Sequence, residues 1–161
     1  KEELEAKEGV IPGTFVKRGC SAYVWADGPK WDDAQAIAIS LGGNLATIND
    51  EEENEWVVNQ FTQKVLNDVS DDGQGIKNLF IGLTRNDVEK DEGSNDGWVS
   101  GQSSSYRPDY WGTQGKGDDW DGNYTALAIR DADGYTDLEW NDFPDWQAEG
   151  VGLVEIPICN N

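Results

Sequence analysis

Residues 31–48 read WDDAQAIAISLGGNLATI, and this stretch decides the fold. Trp31, Ala34, Ala38 and Leu41 recur at helical spacing with no breaker among them, which predicts a short amphipathic helix. Gly42-Gly43 supplies its C-terminal stop, and Leu45 and Thr47 lead away as an extended piece. Upstream, Phe15, Val16, Tyr23, Val24 and Trp25, interrupted by Gly19 and Cys20, read as one or two extended segments, and Asp27-Gly28-Pro29 turns the chain into the helix. Downstream, Asn49-Asp50-Glu51-Glu52-Glu53 offers a capping residue followed by carboxylates that complement a helix dipole. Trp56, Val57, Phe61, Val65 and Leu66 carry that second helix to about Asn67.

Farther out the text changes. Asp68 to Lys77 is a polar connection, and Leu79-Phe80-Ile81-Gly82-Leu83 is a continuous apolar run of the kind buried strands show. From Thr84 to Glu149 the chain is rich in Gly, Asp, Asn, Ser and Trp. Brief strand-like pieces lie at Gly97 to Ser100, Tyr124 to Arg130, Leu138 to Trp140 and, later, Gly152 to Cys159. Two helices followed by long loops and short strands predict an α+β domain, in which loops of this length carry function. Lys1 to Gly9 reads as a charged lead-in, leaving residues 10–161 as the domain.

Composition restricts the chemistry. The 161 residues hold 12 Lys and Arg against 32 Asp and Glu, a formal charge of −20, which repels nucleic acid and anionic membranes and favours metal cations. With no histidine, the Ser-His-Asp arrangement and His-ligated zinc are impossible. Eight Trp, five Tyr and four Phe are too much aromatic surface for an acidic disordered tail. Two cysteines, Cys20 and Cys159, are too few for a four-thiolate zinc site and enough for one bridge; two unrelated buried thiols are the other reading. No apolar run approaches the ~18–20 residues of a membrane span, so no membrane insertion is expected. A chain starting at Lys1 without Met, and without a signal peptide, reads as part of a larger, secreted or cell-surface polypeptide.

In this order the motifs from Tyr23 to Cys159 resemble the C-type lectin-like domain, as in bacterial adhesins. W-x-x-A with Leu41-Gly42-Gly43-Asn44-Leu45 is similar to the family's first helix and its exit, and Glu53-Asn54 fits its E-N position. Phe80-Ile81-Gly82-Leu83 resembles the W-I-G-L core strand, Gly97-Trp98-Val99-Ser100-Gly101 the following hairpin, and Trp140-Asn141-Asp142 the W-N-D calcium signature. The resemblance implies a C-type lectin fold: two helices and short antiparallel strands, closed by pairing of the terminal strands, with a long calcium-binding loop region. It also implies a disulfide. Cys159 matches the family's last cysteine and, with Ala38 in the usual partner's place, Cys20 becomes its partner. The second family disulfide is absent, Tyr124 standing where one cysteine would be.

The loop region carries the acid: between Asp109 and Glu149 there are eleven carboxylates against Lys116 and Arg130. Calcium, with its ~6–8 hard oxygen ligands, suits such a stretch. The resemblance makes Asn141 and Asp142 calcium ligands that also bond a sugar; the competing reading is a turn after the Trp140 strand. The family's three-residue sugar-selecting element falls at Gln114-Gly115-Lys116. Gln114 retains an amide oxygen, but Gly115 and Lys116 depart from the pattern, which shifts the expected ligands to Asp118, Asp119 and Asp121. The acidic residue of a second family calcium site is replaced by Arg85; Asn86, Asp87, Glu89, Asp91 and Glu92 beyond it read as a solvated charge run. Trp31, Trp56, Trp98 and Trp140 read as core, whereas Trp120 and Trp146 lie by the acidic loops, placed to cover the C–H face of a sugar.

The expected function is calcium-dependent binding of carbohydrate, a cell-surface glycan or polysaccharide, through vicinal hydroxyls, as the ligand-binding module of a secreted or surface adhesin. The alternative is a lectin-like domain that binds a protein or surface without a calcium-bridged sugar. An enzyme is not expected. A carboxylate-only glycosidase needs two acids at a set separation in a cleft, and nothing singles out such a pair.

Overall fold

The computed structural model describes residues 1–67, 78–85, 96–108, 124–130, 137–143 and 150–159. Among the described residues three helices, α1 (Glu2–Glu5), α2 (Trp31–Ser40) and α3 (Glu51–Asn67), accompany eight strands. These are β1 (Val16–Arg18), β2 (Ser21–Ala26), β3 (Asn44–Leu45), β4 (Asn78–Arg85), β5 (Asp96–Trp98), β6 (Tyr124–Arg130), β7 (Asp137–Phe143) and β8 (Val151–Pro157). All eight belong to one sheet of order β1-β2-β8-β4-β6-β7, with β3 paired to β8 and β5 to β4.

The terminal strands pair as expected. β2 runs antiparallel to β8 from Ser21↔Pro157 to Ala26↔Gly152. Cys20 and Cys159 are bridged at the end of this ladder with Cα atoms 5.1 Å apart, and the Ile158 amide donates to the Cys20 carbonyl at 2.9 Å. One pairing departs from the antiparallel expectation. β4 meets β8 in parallel, Leu79 opposite Val151 and Phe80 opposite Gly152, so the α+β fold has a mixed sheet.

The central strands are buried on both faces, which explains why β2 reads Ala-Tyr-Val-Trp-Ala with no polar alternation. Ala22, Val24 and Ala26 pack with Trp31, Ala34 and Ala38 of α2 and with Val154 and Ile156 of β8. Tyr23 and Trp25, pointing the other way, pack with Val57 of α3, Leu79, Ile81, Trp140 and Leu153. The sheet is thus clamped between α2 and the first half of α3.

Local chemistry sets the helix ends. After α2, Gly42 takes φ +85° and the Gly43 amide closes back on the Ala38 carbonyl at 3.0 Å, a turn that favours glycine. Gly43 is needed for space, because a Cβ there would collide with the Glu155 carbonyl of β8. At the head of α3 the Asp50 carboxylate accepts from the Glu53 amide at 2.8 Å, while Glu53 reaches back to accept from the Asn49 amide at 2.8 Å. This is a reciprocal cap.

Residues 1–9 include the helical turn α1. Leu4 packs against the α2-side core, and the Glu5 carboxylate accepts from the Phe15 amide at 3.2 Å. Trp31, Trp98 and Trp140 are core, as expected. Trp56 differs: it is half-buried, tilted against Tyr23 at 4.9 Å and covered by the Arg18 guanidinium at 5.5 Å. No described helix is long and apolar enough to cross a membrane.

Candidate functional site

Asn141 and Asp142 lie within β7, which extends past the expected Trp140 end to Phe143, so the pair is strand rather than a following turn. Their backbones are paired to β6, Asn141 opposite Ala126 and Asp142 opposite Thr125. β6 in turn lies beside β4, with Ile81 opposite Thr125. The pair therefore sits on a laddered strand, and one neighbouring residue fixes that strand to the core.

That residue is Trp140, fully buried. Its indole N–H donates to the Asn54 Oδ1 of α3 at 2.8 Å. Trp98 and Tyr106 present their rings edge-on to it, at 6.0 and 5.9 Å between centroids. Such edge-to-face pairs add about 0.5–1.5 kcal/mol each beyond area burial. The Asn54 acceptor lies one position beyond the Glu53 that caps α3, so the head of that helix also sets the register of β7.

The chain leading into residues 109–123 is held as tightly. The Ser104 hydroxyl donates to the Ile48 carbonyl at 2.7 Å, Thr47 and Ser100 share a 2.6 Å hydroxyl contact, and the Trp98 indole donates to the Ser104 carbonyl at 3.0 Å. Arg107 donates to the Tyr106 carbonyl at 2.6 Å and lays its guanidinium over Trp98 at 5.6 Å. Sequence reasoning missed Ser104, Tyr106 and Arg107. A Tyr-Arg-Pro run closing a serine-rich stretch, Ser103-Ser104-Ser105, was the available signal.

A second polar group was also missed. Glu53 is only 3% exposed, yet it accepts from the Tyr23 hydroxyl at 2.9 Å and from the Asn49 amide and side chain, with Arg18 at 3.9 Å. Glu155 of β8 accepts from the Ser21 hydroxyl at 2.8 Å and the Thr47 amide at 3.2 Å. Burial, then the charges of Glu155 and Glu53, pushes the Tyr23 hydroxyl far above the usual phenol range. Burial also raises the Glu155 carboxyl, against the lowering effect of its two donors.

Of the remaining expected ligands, Gln114, Asp118, Asp119 and Asp121 lie outside the described residues, as do Trp120, Trp146 and the acidic run after Arg85. Among the described residues no three Asp, Glu, Cys or His converge as a metal cage. The donor chemistry nonetheless fits a hard cation. With no histidine and both cysteines in the disulfide, carboxylate, amide and carbonyl oxygens are what this chain offers a metal.

No family model matches the chain. A perlucin-like protein of Mytilus galloprovincialis is 38% identical over 55 residues, 34% of this chain and 35% of that protein's length. Solved structures match far more of it. Human lithostathine superposes with a TM-score of 0.64 at 16% identity, covering 91% of this chain and 99% of its own. SPL-1 in complex with GlcNAc gives 0.63 at 21%, covering 92% and 95%. The calcium-independent C-type lectin SPL-2 from Saxidomus purpuratus gives 0.62 at 20%, covering 93% and 95%. Likeness of this extent at such low identity speaks to architecture: the chain has the fold of the C-type lectin-like domains.

Proposed function

We propose that this domain binds carbohydrate through a calcium ion held by Asn141 and Asp142. The observation that carries the reading is the placement of this pair on β7, directly after a tryptophan locked to Asn54. Gln114 and a carboxylate among Asp118, Asp119 and Asp121 would complete the ligand set. Calcium supplies hard-oxygen coordination with positions left over for two vicinal hydroxyls. The Asn141 amide and Asp142 carboxylate would hydrogen-bond those same hydroxyls and so orient the sugar. Trp120 and Trp146 would cover its C–H face and exclude water there. No bond is made or broken, and the partner is a glycan or polysaccharide met outside the cell by a larger adhesive polypeptide.

A second reading drops the ion. Gly115 and Lys116 are poor substitutes for a sugar-selecting element, and SPL-2 is a calcium-independent lectin on this fold. The loops would then bind a protein or surface directly.

Asp142→Ala should abolish both calcium and sugar binding. Trp120→Ala should weaken sugar binding by about 1–3 kcal/mol and leave calcium affinity nearly intact. Calcium at a hundredfold its Kd should also raise stability by about 2.7 kcal/mol over EDTA. Calorimetric titration of each variant with calcium, then with a sugar from an array screened in calcium, separates the readings. Undiminished glycan binding by Asp142→Ala, or binding that persists in EDTA, favours the calcium-free one.

A further inference from the structure

Ala46, Thr47 and Ile48 form a fully buried ledge beside β8 and β4. The Ala46 amide donates to the Leu153 carbonyl of β8 at 2.8 Å, and the Ala46 carbonyl accepts from the Gly82 amide of β4 at 2.8 Å. The Thr47 amide donates to the Glu155 carboxylate at 3.2 Å. The backbone of the ledge is thus fixed to two central strands before any loop residue meets it.

Two serines four residues apart use this ledge in the same way. Ser100 meets the Thr47 hydroxyl at 2.6 Å and accepts from the Gln102 amide at 3.2 Å. Ser104 donates to the Ile48 carbonyl at 2.7 Å and accepts from the Tyr106 amide at 3.4 Å. Each hydroxyl ties the ledge to the main chain two residues farther on. β5 ends at Trp98, and past the turn that the Gly101 amide closes on the Trp98 carbonyl, these side chains fasten the segment.

Ser104 has further partners. Its carbonyl accepts from the Trp98 indole at 3.0 Å and from Arg107 at 3.3 Å. Trp98, held by that carbonyl, and Tyr106, held by the Ser104 hydroxyl, are the two rings set edge-on to Trp140. Trp140 directly precedes Asn141 and Asp142 on β7. In the other direction the same chain runs on through Pro108 into the stretch that holds Gln114, Asp118, Asp119 and Asp121. One residue therefore connects to both halves of the proposed ligand set.

We infer that Ser104 is a positioning residue of the ligand site: seated on the Thr47–Ile48 ledge, it fixes the Trp98 and Tyr106 rings that pack on β7 and sets the root of the 109–123 stretch against the Asn141–Asp142 pair. This role rests on the calcium reading, and Ser104 itself touches no metal in it. Ligands held in place beforehand leave less ordering to be done when a cation arrives. Removing groups that orient metal ligands costs about 10–100-fold in metal affinity.

The test is calorimetric titration with calcium of wild type, Ser104→Ala, Ser104→Thr and Ser103→Ala, the last at an exposed neighbour, at a temperature where all four are folded. Ser104→Ala should bind calcium about tenfold more weakly. Ser104→Thr, which keeps the hydroxyl, should return close to wild type, and Ser103→Ala should match it. A second readout needs no metal: in EDTA, hydrogen exchange at the Trp98 indole N–H, followed by NMR, should quicken in Ser104→Ala and slow again in Ser104→Thr. Wild type that takes up no calcium overturns the calcium reading and the ligand role of Ser104 with it. Wild type that binds, with Ser104→Ala binding as tightly, overturns the positioning role alone. So does a calcium loss that Ser104→Thr shares in full, or Trp98 exchange in Ser104→Ala that stays at the wild-type rate.

Discussion

Replacing Cys20 and Cys159 together by serine is expected to cost about 5 kcal/mol of unfolding free energy, the chain-entropy value for so long a loop. The bridge spans 139 residues and enters at the end of the β2–β8 ladder, so it confines nearly the whole unfolded chain. In a protein of this length that loss corresponds to a fall in Tm of roughly 10–20 °C. Both cysteines are exposed, so reductant under native conditions should produce the same species without mutation. Denaturant melts of the double variant and of reduced wild type check this. A loss below about 1 kcal/mol would mean that the β2–β8 pairing already holds the two ends together in the unfolded ensemble.

The other large effect belongs to Trp140. Its truncation to alanine removes the largest fully buried side chain among the described residues and leaves Asn54 without its indole donor. The cavity costs about 3–5 kcal/mol and the orphaned amide oxygen about 1–3 more, less whatever water recovers. Trp140→Phe isolates the second contribution, since a ring remains but the N–H is gone. Equilibrium unfolding of the two variants separates packing from hydrogen bonding. Sugar and calcium titrations of Trp140→Phe at a temperature where it is fully folded test the link to the site. If Asn141 and Asp142 act as proposed, loosening β7 weakens both ligands without touching either side chain.

Much of the fold was legible because local chemistry and tertiary structure agree. Trp31, Ala34 and Ala38 carry the helical period, and they are the α2 residues buried against β2 and β8. The Gly42-Gly43 stop and the Asp50–Glu53 cap were visible as residue types. What stayed hidden is non-local. Nothing in Leu79-Phe80 says that its neighbour is Val151-Gly152, running in parallel. The half-exposure of Trp56 depends on an arginine from β1 covering its ring. Among 32 carboxylates, composition could not single out buried Glu53 or half-buried Glu155, which accept hydrogen bonds inside the fold. The period of β8 held that signal: Glu155 follows Val151 and Leu153 at every second residue, on the face turned to α3. For the candidate site, the Trp-Asn-Asp run was readable as a motif on a strand, but the pairing of that strand with β6 was not.

The position of β8 has a consequence for how such a chain is made. The last of the described strands in chain order lies in the middle of the sheet, between β2 and β4, and it also supplies the partner of β3. Until it is synthesised, β2 has β1 on one edge and nothing to pair with on the other, and the apolar faces of Val24 and Trp25 have no strand beside them. The N-terminal part therefore cannot set ahead of the rest, as it does in proteins whose first elements form a unit of their own. Pairings so distant in sequence also close slowly. The sheet is therefore completed by insertion of β8 between β2 and β4, a step that waits on the last of the described strands.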